Sequence, residues 1–185
     1  MATTLRILIV VGLQTALLAY MILDRQAVLS ASRTVTLKVA PVDPRDIFRG
    51  DYVILTYEIS RLDPTKIEGD NTFGYGDKVL VTLVPNGDTW TATGIARGKP
   101  VPAQGGVAIQ GTIESFDANE SGQATAVTVH YGIESYFVPE GTGREIEQER
   151  QKGDLSADIA VDTSGRAAIK ALRRGGQVFY VEGIF

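Results

Sequence analysis

Residues Ile7–Leu23 (ILIVVGLQTALLAYMIL) run for 17 positions without a charge, and no other feature limits the possible folds of this chain as strongly. Gln14 and Thr15 are the strongly polar members of the run. With Leu5 and the aliphatic stem of Arg6, about 19 residues can sit at hydrocarbon depth. At roughly 1.5 Å per residue, that length approaches the roughly 30 Å core of a bilayer. The run is apolar all round, unlike a surface helix with one polar face. It also exceeds the roughly 7–15 apolar residues of a cleavable signal, although Ser30-Ala31-Ser32 offers small residues for a cut. The amine terminus and Arg6 precede it, and Asp24 and Arg25 cancel after it, a bias that places the N-terminus inside. The expectation is a single-pass signal-anchor through residues 7–23, with anchor and short linker over 1–32. Residues 33–185 then form one extracytoplasmic domain.

Composition narrows what that domain does. Residues 33–185 hold 16 Lys+Arg and 21 Asp+Glu, the whole chain's 18 and 22 less Arg6, Arg25 and Asp24, so the domain is acidic. An acidic domain without a basic stripe is a poor partner for nucleic acid. The absence of cysteine removes disulfides, thiolate zinc sites and a cysteine nucleophile together.

Period-two alternation dominates the rest. Thr34–Val42 alternates Val35, Leu37 and Val39 against polar neighbours, and Asp51–Ser60 places Val53, Leu55, Tyr57 and Ile59 on one face. Arg61–Gly76 reads as a polar loop. Lys78–Val84 and Thr89–Arg97 pair across Pro85-Asn86-Gly87-Asp88, a hairpin signal. Gly105–Phe116 with Gln123–Gly132 forms a second pair, and Leu155–Val161, Arg166–Leu172 and Gln177–Phe185 read as three more strands. Thr142-Gly143-Arg144-Glu145 fits a capping box for a short surface helix over 144–152. About nine strands and one short helix imply a mostly β fold, a β-sandwich or barrel-like domain behind the membrane helix.

The string Gly50-Asp51-Tyr52-Val53-Ile54-Leu55-Thr56-Tyr57 matches the signature of the GDYXXLXY family without a departure. The preceding Pro41–Asp46 stretch, with Arg45, resembles that family's lead-in. Tyr131–Gly141, containing Gly132, Glu134, Tyr136, Pro139, Glu140 and Gly141, is similar to its second shared region. The resemblance implies a bacterial membrane-anchored protein; the N-terminal segment then sets the expected place, the inner (cytoplasmic) membrane with the domain periplasmic. It carries no established activity. Gly50, Asp51, Tyr52, Leu55 and Tyr57 are candidates either for a structural corner or, through Arg45, Asp51 and Tyr52, for a polar binding surface. Tyr131, Gly132, Glu134, Pro139, Glu140 and Gly141 are candidates on the same footing.

No set of residues assembles an active site. The layout is similar to that of signal peptidase, but aligning Pro44 and Gly50-Asp51 on that enzyme's Ser-x-x-Pro…Gly-Asp run puts Pro41 where the nucleophilic serine belongs. Proline has no hydroxyl to activate. His130 is the only histidine, in a strand where Ala124, Ala126 and Thr128 share its face, and a zinc site needs several nitrogen or sulfur ligands. Asp43, Asp46 and Asp51 cluster without the spacing of a calcium loop. No catalytic, metal or cofactor-binding residue is therefore assigned. The expected function is a non-catalytic envelope protein that binds another membrane or envelope protein, with contact through the 144–152 helix or Tyr136-Phe137. A cell-envelope hydrolase with a cryptic site and a small-ligand or glycan-binding module are the alternatives.

Overall fold

The computed structural model describes residues 2–30, 33–41, 52–137 and 153–181. Helix α1 spans Ala2–Leu29; its Thr4–Leu29 portion is long and apolar enough to cross a membrane, and its apolar stretch is exposed, while Val28 near its end is buried. Thr15 Oγ1 donates to the Val11 carbonyl at 2.9 Å, so this hydroxyl needs no partner outside the helix.

Strands β1 (Arg33–Lys38), β2 (Tyr52–Ile54), β3 (Arg61–Leu62), β4 (Glu68–Gly69), β5 (Lys78–Asn86) and β6 (Thr89–Ala96) come first along the chain. They are followed by β7 (Val107–Ala118), β8 (Ala124–His130), β9 (Ser135–Phe137), β10 (Leu155–Val161), β11 (Ala167–Arg174) and β12 (Gln177–Val181). One sheet has the order β1-β10-β11-β12 and is antiparallel throughout. A second has the order β3-β8-β7-β5-β6-β4, antiparallel except where β4 meets β6. β2 and β9 form a two-stranded ribbon.

Both sheets contribute to one core. Val35 and Leu37 of β1, Leu155, Ala157 and Ile159 of β10, and Val79, Val81, Ile109 and Val129 of the larger sheet are all buried in it. The alternation seen in the sequence is thus an inward-facing row on each sheet. The sheets are also stitched through their backbones. Val39 bridges Tyr57 just past the end of β1, Ala40 N–H donates to the Thr56 carbonyl at 2.7 Å, and Leu55 N–H donates to the Glu134 carbonyl at 2.7 Å. On the other flank, Gln110 N–H donates 2.8 Å to the carbonyl of Gly165, in the turn between β10 and β11.

Two expectations need correction. Asp51–Ser60 is not one long strand: within its described residues β2 covers Tyr52–Ile54, Tyr57 makes a single bridge, and Glu58–Ser60 is a 3₁₀ turn. Val53, Leu55, Tyr57 and Ile59 are nonetheless all buried, as their spacing indicated, while Ile54 is exposed. The ladder is short because the segment crosses from one sheet to the ribbon and changes partner along the way. Arg61–Gly76 is likewise not all loop, since it contains β3 and β4. The expected 144–152 helix lies outside the described residues.

Gly165 has φ +90°, and a Cβ there would meet the Ala108 carbonyl oxygen at 3.2 Å. Gly165→Ala is expected to destabilise the protein by about 1–2 kcal/mol or more, from backbone strain plus the displaced turn. Denaturant unfolding followed by Trp90 fluorescence measures it.

Candidate functional site

The segments holding the two sequence motifs meet face to face. Tyr57 and Tyr131 are large aromatic residues with one polar atom each, so burying them requires a partner for each hydroxyl. Tyr57 is 1% exposed, and its hydroxyl donates to the Ile133 carbonyl at 2.7 Å. Tyr131 is 7% exposed, and its hydroxyl donates to the Ile59 carbonyl at 2.7 Å. The exchange is reciprocal: each segment supplies a tyrosine and receives one.

Local bonds shape both partners. Tyr57 N–H donates to Ser60 Oγ at 3.1 Å, and Ser60 N–H returns to the Tyr57 carbonyl at 2.9 Å, closing the 3₁₀ turn that presents the Ile59 carbonyl. In the other segment, Glu134 Oε1 accepts the Tyr131 N–H at 2.6 Å, and Gly132 takes φ +78° between them. A Cβ on Gly132 would meet nothing within 4 Å, so glycine is needed there for its backbone conformation alone. Glu134 Oε2 lies 3.1 Å from Nε2 of His130, an ionic contact when the imidazole is protonated, and makes no hydrogen bond. Burial, and secondarily the nearby Glu134 charge, push the hydroxyls of both Tyr57 and Tyr131 well above the usual tyrosine range.

A family model described as GDYXXLXY protein matches residues 14–172. The chain belongs to the GDYXXLXY family. No curated protein and no solved structure matches it. In this GDYXXLXY protein, the part of the signature that is described works as internal scaffold. Leu55 is fully buried, Tyr57 is bonded to backbone, and β2 contributes Tyr52 by its main chain to the ribbon with Phe137. Arg45, Gly50 and Asp51, and at the other end Pro139, Glu140 and Gly141, lie outside the described residues, as do Asp43 and Asp46. The described candidates are therefore brought together, and their polar atoms go mainly to holding the two segments in place. Tyr136, expected to offer contact, is 3% exposed, with its ring edge-on to Tyr180 at 5.7 Å between centroids.

Beside this junction, Lys78, Gln110, Thr112, His130 and Arg166 line a groove of about 390 Å³. Lys78, Thr112 and His130 sit opposite one another across β5, β7 and β8. His130 is largely exposed at the end of β8. Among the described residues, no group of three or more metal-ligating side chains converges.

One cluster escaped the sequence. Asp158 is 8% exposed in the middle of the smaller sheet, on the face away from the core. Thr36 Oγ1 donates to it at 2.8 Å, and Arg173 Nε reaches its two oxygens at 2.8 and 2.7 Å. Arg173, Thr36, Lys38 and Ser156 line a groove of about 520 Å³ there, with Gly175 and Gly176. The available signal was a lone charge within the apolar strand Leu155–Val161. A buried acid without partners is costly, so partners were implied.

Removing either hydroxyl strands a buried carbonyl. Tyr57→Phe and Tyr131→Phe are each expected to lower unfolding free energy by about 1–3 kcal/mol in denaturant titrations. The raised hydroxyl pKa values set a pH dependence as well. Above about pH 10 the unfolded chain loses these protons while the folded chain keeps them, so stability falls as pH rises through that range. Below about pH 9 the two tyrosines contribute almost no slope. Unfolding curves between pH 8 and 11, at roughly half-unit steps, should show a shallower alkaline decline in the double Phe variant than in wild type.

Proposed function

We propose that this protein is a non-catalytic, single-pass component of the bacterial inner membrane, anchored by α1, whose β domain binds another envelope protein on the periplasmic side. The observation that carries the reading is the free side of β12. Among the described residues β12 pairs only with β11, and Val178 and Val181 are 52% and 60% exposed. The strand, QVFYV, contains no Lys or Pro to blunt it. An edge strand of this kind is a template for an added strand, with main-chain bonds giving affinity and the exposed valines contacting alternate side chains.

The anchor favours a different protein over a second copy. Arg33, Val161 and Arg166 stand at the α1 end of the smaller sheet, and Lys38, Leu155 and Arg174 at its far end, so the strands lead away from the helix. Pairing β12 antiparallel with its own copy requires a two-fold axis perpendicular to the sheet. That axis would turn the two anchors in opposite directions, and one bilayer cannot hold both. The reading is therefore an extended segment of a different envelope protein.

The chain lacks cysteine, so single cysteines can be placed cleanly. Val178→Cys and Val181→Cys in native membranes are expected to cross-link to one discrete heterologous partner, and Phe116→Cys on the other sheet is not. Val178→Lys placed in the Val181→Cys chain should abolish that adduct. A homodimer adduct, or equal labelling at all three positions, would sink the edge assignment. A reporter fused after Phe185 that works only in the cytosol would overturn the compartment.

A further inference from the structure

We propose that the crevice where α1 meets the β domain seats the phosphate headgroup of a phospholipid from the leaflet facing that domain. The inference rests on α1 crossing the bilayer. Leu5–Leu23 is about 28 Å long at roughly 1.5 Å per residue, close to the hydrocarbon thickness. The helix nevertheless continues to Leu29. Asp24–Leu29 adds about 9 Å, which carries it through the headgroup layer. Ala27, about 6 Å beyond Leu23 by the same rise, forms one wall of a crevice of about 410 Å³.

The remaining walls come from the β domain. Val107, Ala108 and Val161 make an apolar floor, with Arg33 and Thr163 beside it. An apolar floor suits the glycerol and first methylenes of a lipid and offers nothing to a free phosphate. Arg33 Nη1 donates to the Gly106 carbonyl at 3.1 Å, which orients the guanidinium at the crevice. A guanidinium carries five N–H donors, and its planar fork suits a phosphate better than an ammonium does. Asp162 also lines the crevice, but its carboxylate is already occupied by Ser164 and by the N–H and Nε of Arg166. Arg166 pairs with it through Nε, sharing its single charge with Asp24.

The crevice is also held at a set height. Arg166 Nη1 reaches both oxygens of Asp24 at 2.8 and 2.9 Å while its Nε holds Asp162 at 2.9 Å, so the helix is pinned to the β10–β11 turn. Three residues separate α1 from β1. The site cannot swing far from the bilayer surface.

The test uses the full chain in nanodiscs containing dioleoylphosphatidylglycerol, extracted into detergent in steps and weighed by native mass spectrometry. Wild type is expected to retain one phospholipid per chain. Arg33→Gln, and Ala27→Trp, which fills the crevice from an exposed helix position, should each weaken retention by roughly tenfold or more, the scale of a charge-assisted contact. Dioleoylglycerol, lacking the phosphate, should not be retained, and inorganic phosphate should not compete. Far-UV circular dichroism confirms that each variant is folded. Equal retention by wild type and both variants, or full displacement by inorganic phosphate, overturns the lipid site while leaving the anchor in place. A chain that does not enter nanodiscs at all overturns the membrane reading and this site with it.

Discussion

The reciprocal bonds between Tyr57 and Ile133, and between Tyr131 and Ile59, fasten the place where the chain passes between its two sheets. The smaller sheet ends at Val39, the ribbon begins at Tyr52, and the larger sheet hands over to the ribbon just after His130. Main-chain bonds at Thr56 and Glu134 make those handovers, but each is a single link. A single backbone bond contributes little net free energy, whereas two buried aromatic rings with satisfied hydroxyls contribute both area and geometry. Because the rings are buried, each hydroxyl has no water to turn to, and any motion that breaks the bond leaves two polar groups unpaired. The junction is therefore stiff in proportion to how completely it is buried.

That stiffness matters for what lies on either side. The smaller sheet carries the contact to α1, through Val28 and the Asp24–Arg166–Asp162 chain, and also the free side of β12. The ion pairs are partly exposed, so they contribute modestly to stability. What they supply is orientation, since one planar guanidinium held by Asp162 through Nε and by Asp24 through Nη1 sets the direction between the two. Burial works against the charge on Asp162, but the Ser164 and Arg166 bonds outweigh it and hold the carboxyl below its usual range. The helix, the β10–β11 turn and the smaller sheet consequently move together.

Much of this was legible beforehand, for local reasons. β5, β7, β8, β10 and β11 stood out because each has an inward row of Val, Ile, Leu or Ala at every second position, and water enforces that pattern one residue at a time. The burial of Val53, Leu55, Tyr57 and Ile59 was legible for the same reason. Their hydrogen bonding was not, because a 3₁₀ turn and a bridge can bury alternate residues as well as a strand does. β3, β4 and β9 have two or three residues each, too few to show any period. The candidate-site residues Tyr57, Tyr131 and Glu134 were visible as part of two motifs, but their role was not. Their partners are mostly backbone groups, and every residue has those.

The sequence by itself determined the apolar helix, the inward rows of the strands and the membership of a family, since these depend on residue type and near-neighbour spacing. Only the tertiary structure decided that the two motif segments hold each other, that Asp158 is matched by Thr36 and Arg173, and that Arg166 ties the domain to the helix. Those contacts join residues 76, 72, 122 and 142 positions apart, and 15 for the Arg173 pair. Which distant groups meet is set by the path of the whole chain, and side-chain chemistry alone does not encode that path.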